Sequence, residues 1–536
     1  MAEWTLRRAS GELGQQYRDA GWWDDGTLGS MVEDGLGQRA TTPFHVRSKV
    51  RPWSGTMADV DGAARSFAAS LAADGVGPGD VVVLQLPNWV EAGIAFWAAA
   101  YLGAVVVPVV HFYGAKEVSY ILDATNPAVV ITADRFGVID HLAVWEGVLA
   151  DRPGPRWLVV GDTPAASLPS RATAFADLLA RAPMAERVAV DPDSPALIAF
   201  TSGTTKDPKG VIHSHRTITC EARQLDLMFP KGGPPTITGA PVGHFIGMVN
   251  AFIVPLLRDH PVNMVDVWDP GEILRLMLAH DIGVGGGATF FLTSILDHPD
   301  FTDEHLARMP FAGLGGSSVP AAVTERATKL GIKAFRSYGS TEHPSITGSM
   351  VDEPEAKRLY TDGHALPGVE IRLDELGEIS SRGPDCFVGY TDAALTAAAI
   401  DAEGWYRTGD VGVLDDDGYL TITDRVSDII IRGGENISAQ EVEELLLGVD
   451  GVAEVAVVAA PDERLGEHAA AFVRLREGAT TPSLEDVRAH LAAAGLSKPK
   501  WPESLYAVAG DLPRTPSGKV QKYRLRQSLR DGEPWK

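Results

Sequence analysis

Thr201-Ser202-Gly203-Thr204-Thr205-Lys206-Asp207-Pro208-Lys209-Gly210 is the stretch on which the reading of this chain turns. The apolar run Ala196 to Phe200 leads into it and Val211-Ile212 follows, a pattern of strand, loop and strand. The loop has the composition of a phosphate cradle. Gly203 lets backbone N–H groups approach an anion, the hydroxyls of Thr201, Ser202, Thr204 and Thr205 donate hydrogen bonds, and Lys206 and Lys209 bring positive charge. A P-loop is excluded: counted from Gly203, Pro208 stands where its second glycine should be and Gly210 where Ser or Thr should be. The competing reading is a plain Ser/Thr/Gly turn between two strands.

Around this loop, 536 residues are too many for one core, so two or more domains are expected. The composition, 45% hydrophobic and 22% charged, is that of an ordinary globular protein. Lys and Arg number 47 against 71 Asp and Glu, and the net charge of −24 argues against nucleic acid or an anionic membrane as main partner. Two cysteines, Cys220 and Cys386, fit a reducing, cytoplasmic setting and read as small buried apolar residues. The first residues carry charges throughout and do not read as a secretory signal. Ala92 to Val110 is uncharged for about the length of a membrane span. Gly93, Gly103 and Pro108 punctuate it and Val105-Val106-Val107 is a β-type run, so it reads as a buried helix followed by a buried strand, with no transmembrane segment.

Residues 1 to about 55 show weak periodicity. From Met57 an Ala-rich helical stretch runs to Ala73, followed by the strand Val81 to Leu86. Apolar strands such as Ala128 to Ile131 and Trp157 to Val160 then alternate with helices as far as about Ile422. This alternation implies an α/β fold of mainly parallel sheets covered by helices. Near Asp424 the texture changes to shorter, mixed elements: Ile429 to Ile431, the turn Arg432 to Asn436, an acidic helix Ser438 to Leu447 and the strand Val455 to Val458. The expected organisation is a domain over 1–424, a hinge at 425–428 and a small α+β domain over 429–536. Within 496–536 nine Lys/Arg face four Asp/Glu, a reversal of the overall charge that suits a loop carrying Lys519 to an anionic site.

Other stretches carry chemistry in pattern. Arg336 to Glu342 offers the aromatic face of Tyr338, Gly339, two hydroxyls and one carboxylate, a set able to stack a base, donate to phosphate and hold Mg²⁺ through Glu342. Asp410 follows a Gly turn and suits a ribose diol, a plain surface Asp being the alternative. His244 lies in a Gly-flanked turn, where a lone His is as a rule structural. Gly285 to Gly287 and Gly315-Gly316-Ser317 follow or end apolar runs, where missing side chains let a ligand approach or simply allow a tight turn.

Five of these stretches, TSGTTKDPKG, SYGSTEH, YRTGD, DRVSDIIIRGGENIS and PRTPSGKVQK, occur in the order found in the adenylate-forming superfamily. Over about residues 55 to 530 the chain resembles its acyl-CoA synthetases, peptide-synthetase adenylation domains and firefly luciferase. The resemblance implies a large N-terminal domain and a small mobile C-terminal one. It implies that Thr201 to Lys209 hold the ATP phosphates, that Gly315, Gly316, Ser317, Tyr338 and Gly339 line the adenine, that Thr341 contacts phosphate and that Glu342 binds Mg²⁺. Asp410 and Arg425 would hold the ribose, Lys519 would bridge carboxylate and phosphate, and His244 matches the gate between nucleotide and acyl or thiol channel. Gly434 would let the pantetheine arm of coenzyme A pass. Two departures stand out: Lys206 replaces a usual glycine, and the hinge falls on Ser427 or Asp428.

The implied activity is that of an ATP-dependent acid–thiol ligase of fatty-acid or related lipid metabolism. Its partners would be a small carboxylic acid, ATP, Mg²⁺ and coenzyme A, and a homodimer is compatible with it. The alternatives are an acyl-AMP ligase serving a carrier protein, a luciferase-type oxygenase, and a nucleotide sensor that has lost catalysis. The expected acyl walls, His244 to Met248, Val284 to Thr289 and Gly313 to Gly316, are opened by two glycine groups and point to a medium-length or ring-bearing acid.

Overall fold

The computed structural model describes residues 4–201, 208–230, 232–317, 319–433, 435–514 and 520–535. The chain divides into two compact units, Met1–Glu370 with Ser381–Tyr406, and Ile371–Ser380 with Arg407–Lys536.

At the centre of the first unit is an eight-stranded sheet in the order Gly389–Tyr390, Lys209–Ser214, Pro195–Thr201, Val105–Pro108, Val81–Gln85, Val129–Ala133, Arg156–Val160 and Ala172–Ala174. The strands from Pro195–Thr201 to Ala172–Ala174 run parallel, and the other two add on antiparallel. Val81–Gln85 and Val129–Ala133 are buried at every position, which is why they read as continuous apolar runs rather than alternating ones. Helix Met57–Ala73 starts on a Thr56–Asp59 capping box and packs against helix Val90–Leu102, which is buried all round except at Glu91. Gly103 closes that helix in the left-handed conformation, φ 65°, and Val105–Pro108 follows. The uncharged stretch from Ala92 is thus a buried helix and strand, as read. Among the described residues no helix is long and apolar enough to cross a membrane.

A second sheet of this unit has Gly286–Gly287, Phe311–Leu314 and Lys333–Tyr338 in parallel, with Thr347–Gly348 and His364–Ala365 added antiparallel. A third sheet takes in the segment before Met57: Pro43–Val46 lies between Val262–Met264 and Trp53–Thr56. Four-residue strands are too short for a period to show, so the sequence gives no sign of them.

In the second unit, strands Ile430–Arg432, Glu435–Ile437, Val452–Asp462, Gly466–Leu475 and Ser504–Val508 form one sheet. Its side chains alternate between two cores. Val457, Ala469 and Ala471 pack with helices Ala439–Leu446 and Leu484–Ala493, while Ala456, Val458, Ala470 and Phe472 pack with Leu525 of helix Lys522–Arg530. A four-stranded sheet, Glu370–Leu373, Glu378–Arg382, Tyr406–Leu414 and Leu420–Arg425, precedes it. Compactness therefore divides the chain earlier than the change of texture near 424. Tyr406–Leu414 and Leu420–Arg425 pair antiparallel, Ser438 donates to the Thr423 carbonyl at 2.9 Å, and the Gln440 N–H donates to Asp424 at 3.2 Å.

Candidate active site

Pro195–Thr201 and Lys209–Ser214 run antiparallel, with Thr201 opposite Lys209 and Phe200 opposite Gly210, so both ends of the phosphate-type loop are held in a strand pair. Ser202, Gly203, Thr204, Thr205 and Lys206 lie outside the described residues. Gly210 is required by packing, since a Cβ there would come within 2.8 Å of Thr391. The Lys209 ammonium sits 5.4 Å from the centre of the Tyr390 ring.

Strand Lys333–Tyr338 delivers its half-buried last residue into the next motif. Gly339 is obligatory, because a Cβ would stand 1.8 Å from the Pro344 carbonyl oxygen. The loop then folds back, with the Ser340 N–H donating to the His343 carbonyl at 2.9 Å. His213 Nε2 donates to the Thr341 carbonyl at 2.7 Å. Burial pushes this imidazole down to about 4, so the ring is neutral. Glu342 is 8% exposed. Its carbonyl accepts from the Phe387 N–H at 2.8 Å and its Oε1 accepts from the Tyr390 phenol at 2.8 Å. No group of three or more His, Cys, Asp or Glu that could hold a metal exists among the described residues. A lone carboxylate of this kind fits a hard cation that takes its other ligands from phosphate and water.

His244 caps the short helix Phe245–Met248, whose Phe245 ring lies 5.1 Å from that of His213. The structure thus joins the His244 turn to the Thr341 loop through one imidazole. Gly243 lets the turn lie on the end of Val105–Pro108, since a Cβ would meet the Val109 carbonyl at 2.5 Å. In the second sheet, Gly315 follows Phe311–Leu314 and would bring a Cβ to 2.6 Å from Ser337 Oγ, whereas Gly316 (φ 75°) has nothing within 4 Å and, like Ser317, is exposed.

One expectation needs correction. Gly286 does not open the acyl wall: at φ 113° its Cβ would stand 2.1 Å from the Gly313 carbonyl oxygen, so the glycine serves the approach of two strands. Gly287 has the same φ of 113°, and its Cβ would meet the Phe291 ring at 3.5 Å, an ordinary contact.

In the second unit Asp410 and Arg425 stand opposite each other on paired strands and form an ion pair of 3.0 Å, with Asp410 6% exposed. Asp428 is paired with Arg526 at 2.7 Å, and its neighbour Ser427 is exposed. Gly433 (φ 60°) turns Ile430–Arg432 into Glu435–Ile437, but Gly434 itself lies outside the described residues. So does Lys519, while Arg514 and Val520 on either side of 515–519 form an antiparallel bridge.

Residues 43–391 match the AMP-binding enzyme family, and residues 441–519 match the AMP-binding enzyme C-terminal domain. The chain belongs to the AMP-binding enzymes. Among relatives, the medium-chain fatty-acid–CoA ligase of Escherichia coli (strain K12) is 32% identical over 530 residues, covering 96% of this chain and 92% of that one. The 3-[(3aS,4S,7aS)-7a-methyl-1,5-dioxo-octahydro-1H-inden-4-yl]propanoyl:CoA ligase of Rhodococcus jostii (strain RHA1) is 35% identical over 520 residues, 91% of this chain and 99% of that one. Among solved structures, ATP-bound MatB from Rhodopseudomonas palustris matches with a TM-score of 0.83 at 27% identity, over 94% of this chain and 99% of that one. The adenylate-forming resemblance and the fold it implies, a large N-terminal and a small C-terminal domain, are borne out.

In this AMP-binding enzyme, His213, Phe387 and Tyr390 join the site although the sequence did not single them out. Only strand alternation hints at one of them, since Lys209, Val211 and His213 share a face. Burial raises the thiols of Cys220 and Cys386 far above their usual range, in keeping with their reading as apolar residues.

Proposed function

We propose that this AMP-binding enzyme is an acid–thiol ligase, an AMP-forming acyl-CoA synthetase working in two steps. In the first, a carboxylate oxygen attacks the α-phosphorus of ATP, the bond to the β-phosphate breaks, and pyrophosphate leaves an acyl-adenylate. In the second, the sulfur of coenzyme A attacks the acyl carbon, the bond to the AMP oxygen breaks, and the thiol proton is released. The observation that carries the reading is the junction at His213 and Tyr390, which ties the end of the phosphate hairpin, the Thr341–Glu342 loop and the His244 turn into one preorganised cluster.

In this reading Thr201 to Lys209 hold the phosphates, Thr341 donates to phosphate, and Glu342 holds Mg²⁺, which when bound neutralises the phosphate charge. Gly315 to Ser317 and Tyr338 flank the adenine, and Asp410 with Arg425 takes the ribose. Lys519 serves adenylation and Gly434 thioester formation, the small domain turning at Ser427–Asp428 between them. The acid is medium-length or ring-bearing. The Escherichia coli and Rhodococcus relatives, named for a medium-chain fatty acid and for a bicyclic propanoyl group, support this.

A pyrophosphate-release screen over aliphatic, alicyclic, aromatic and sterol-derived acids, with and without coenzyme A, tests the reading. The expected result is turnover with a medium-length or cyclic acid, with AMP and thioester in equal amounts when coenzyme A is present. No release with any acid would overturn it. Release that leaves an acyl-adenylate untouched by coenzyme A would make the protein an acyl-AMP ligase for a carrier protein.

A further inference from the structure

The segment from Ser381 to Thr391 grips the loop of Thr341 and Glu342 at five points. Ser381 Oγ is hydrogen-bonded to His343 Nδ1 at 2.7 Å, and Asp385 accepts from His343 Nε2 at 3.2 Å and from the Ser345 N–H at 3.2 Å. The Phe387 N–H donates to the Glu342 carbonyl, and the Tyr390 phenol donates to the Glu342 carboxylate, both at 2.8 Å. The same segment holds the end of the phosphate hairpin: Gly389–Tyr390 pairs with Val211 and Ile212, the Thr391 N–H donates to the Gly210 carbonyl at 2.8 Å, and Lys209 lies over the Tyr390 ring. His343 and Asp385 are sealed from solvent, and Gly383 has no side chain because a Cβ would come within 2.6 Å of the His343 ring.

We propose that Tyr390 is a positioning residue for the metal-binding carboxylate, and that 381–391 is the clamp that fixes Glu342 in register with Lys209. The inference rests on the reading of Glu342 as the Mg²⁺ carboxylate. Its physical content is simple. A carboxylate on a flexible side chain samples several rotamers, and one oxygen tied to a phenol on a sheet strand leaves the other aimed in one direction. In this contact the phenol O–H donates and the carboxylate oxygen accepts. The ring of Phe387 packs edge-on against both Tyr390 and Tyr406, with centroids 4.8 and 5.3 Å apart.

The test uses the full chain. Binding of Mn²⁺, in the presence of a non-hydrolysable ATP analogue, is followed by electron paramagnetic resonance in wild type, Tyr390→Phe and Glu342→Gln. For Tyr390→Phe the half-saturating Mn²⁺ concentration is expected to rise about tenfold or more, the size that follows from losing a hydrogen bond to a charged group. The Mg²⁺ needed for half-maximal pyrophosphate release should rise in parallel, while thioester formation from a supplied acyl-adenylate is unmoved. A merely structural role would lower thermal stability without moving the metal half-saturation. Weaker Mn²⁺ binding in Glu342→Gln but not in Tyr390→Phe overturns the clamp and leaves the role of Glu342 standing. No change in either variant overturns the assignment of Glu342 as well. Should Tyr390→Phe lose its fold by circular dichroism, Asp385→Asn loosens the same loop from the other side, and an unmoved metal half-saturation there is equally fatal.

Discussion

In the first unit His141, His213 and His215 are sealed from solvent, each with its imidazole pushed down to about 4 by burial, whereas the second unit, among its described residues, has no fully buried histidine. Charge pairs occur in both units, such as Arg51 with Glu91 and Arg216 with Asp193 in the first, and in the second they are Lys522 with Glu443 at 2.8 Å, Asp428 with Arg526 at 2.7 Å, Arg432 with Glu503 at 2.7 Å, and Glu454 between Arg474 and Arg514 at 2.6 and 2.5 Å. The difference has a physical sense. At His213 a neutral imidazole in a dry interior fixes one hydrogen bond, to the Thr341 carbonyl, which suits a preformed nucleotide site. The more exposed of these pairs, such as Arg432 with Glu503, are weak individually and easily remade, which suits a domain proposed to present two faces in turn.

The largest expected effect tests that division of labour. Lys519→Ala should cut acyl-adenylate formation by about a thousandfold or more, as loss of charge stabilisation does in the transition state, and spare thioester formation from supplied acyl-adenylate. Gly434→Leu should do the reverse. Assaying each half-reaction on each mutant decides it, and parallel loss of both halves in both folded mutants would end the account of a domain with two working faces.

A second effect is on pH stability. His141, His213 and His215 have folded values below the ordinary imidazole value of about 6.5, so the unfolded chain takes up their protons first. Their contribution is complete above about pH 6.5 and is lost as pH falls towards about 4, by up to about 1.4 kcal/mol per histidine per pH unit. Urea melts between pH 7 and 4.5 should show the first unit losing stability with protons taken up on unfolding. Equal acid sensitivity in His213→Asn would remove that residue from the cause. The smallest effect belongs to the second unit. Lys522→Met leaves Glu443 without its partner at 17% exposure and should cost about 2–3 kcal/mol, less than a fully buried pair would. It should shift the second unit's transition alone, and a shift in the first unit's transition would break the comparison.

Much of this was legible in the chain. The strands flanking the phosphate loop and the helix and strand from Ala92 rest on local pattern, and the structure places them as read, while Asp410 and Arg425, given to one ribose by resemblance, stand opposite each other on paired strands. Gly286 was misread because a glycine in an apolar run looks the same whether it faces a ligand or a neighbouring strand. Only the 2.1 Å approach to Gly313 tells them apart. Tyr390 and His213 were not legible at all. Their role depends on contacts with residues 48 and 128 positions away along the chain, and no periodicity records such a meeting.

The pairing of Tyr390 with Val211 and of Gly389 with Ile212 carries a consequence for descent. Strand side chains alternate faces, so losing or gaining one residue between Gly383 and Gly389 would shift the pairing by one and turn the phenol away from Glu342. A point substitution in that stretch leaves the register as it is, whereas a change of length does not. Among chains related to this one, the spacing from His343's partner Asp385 to Tyr390 should therefore be inherited more strictly than the residues that fill it.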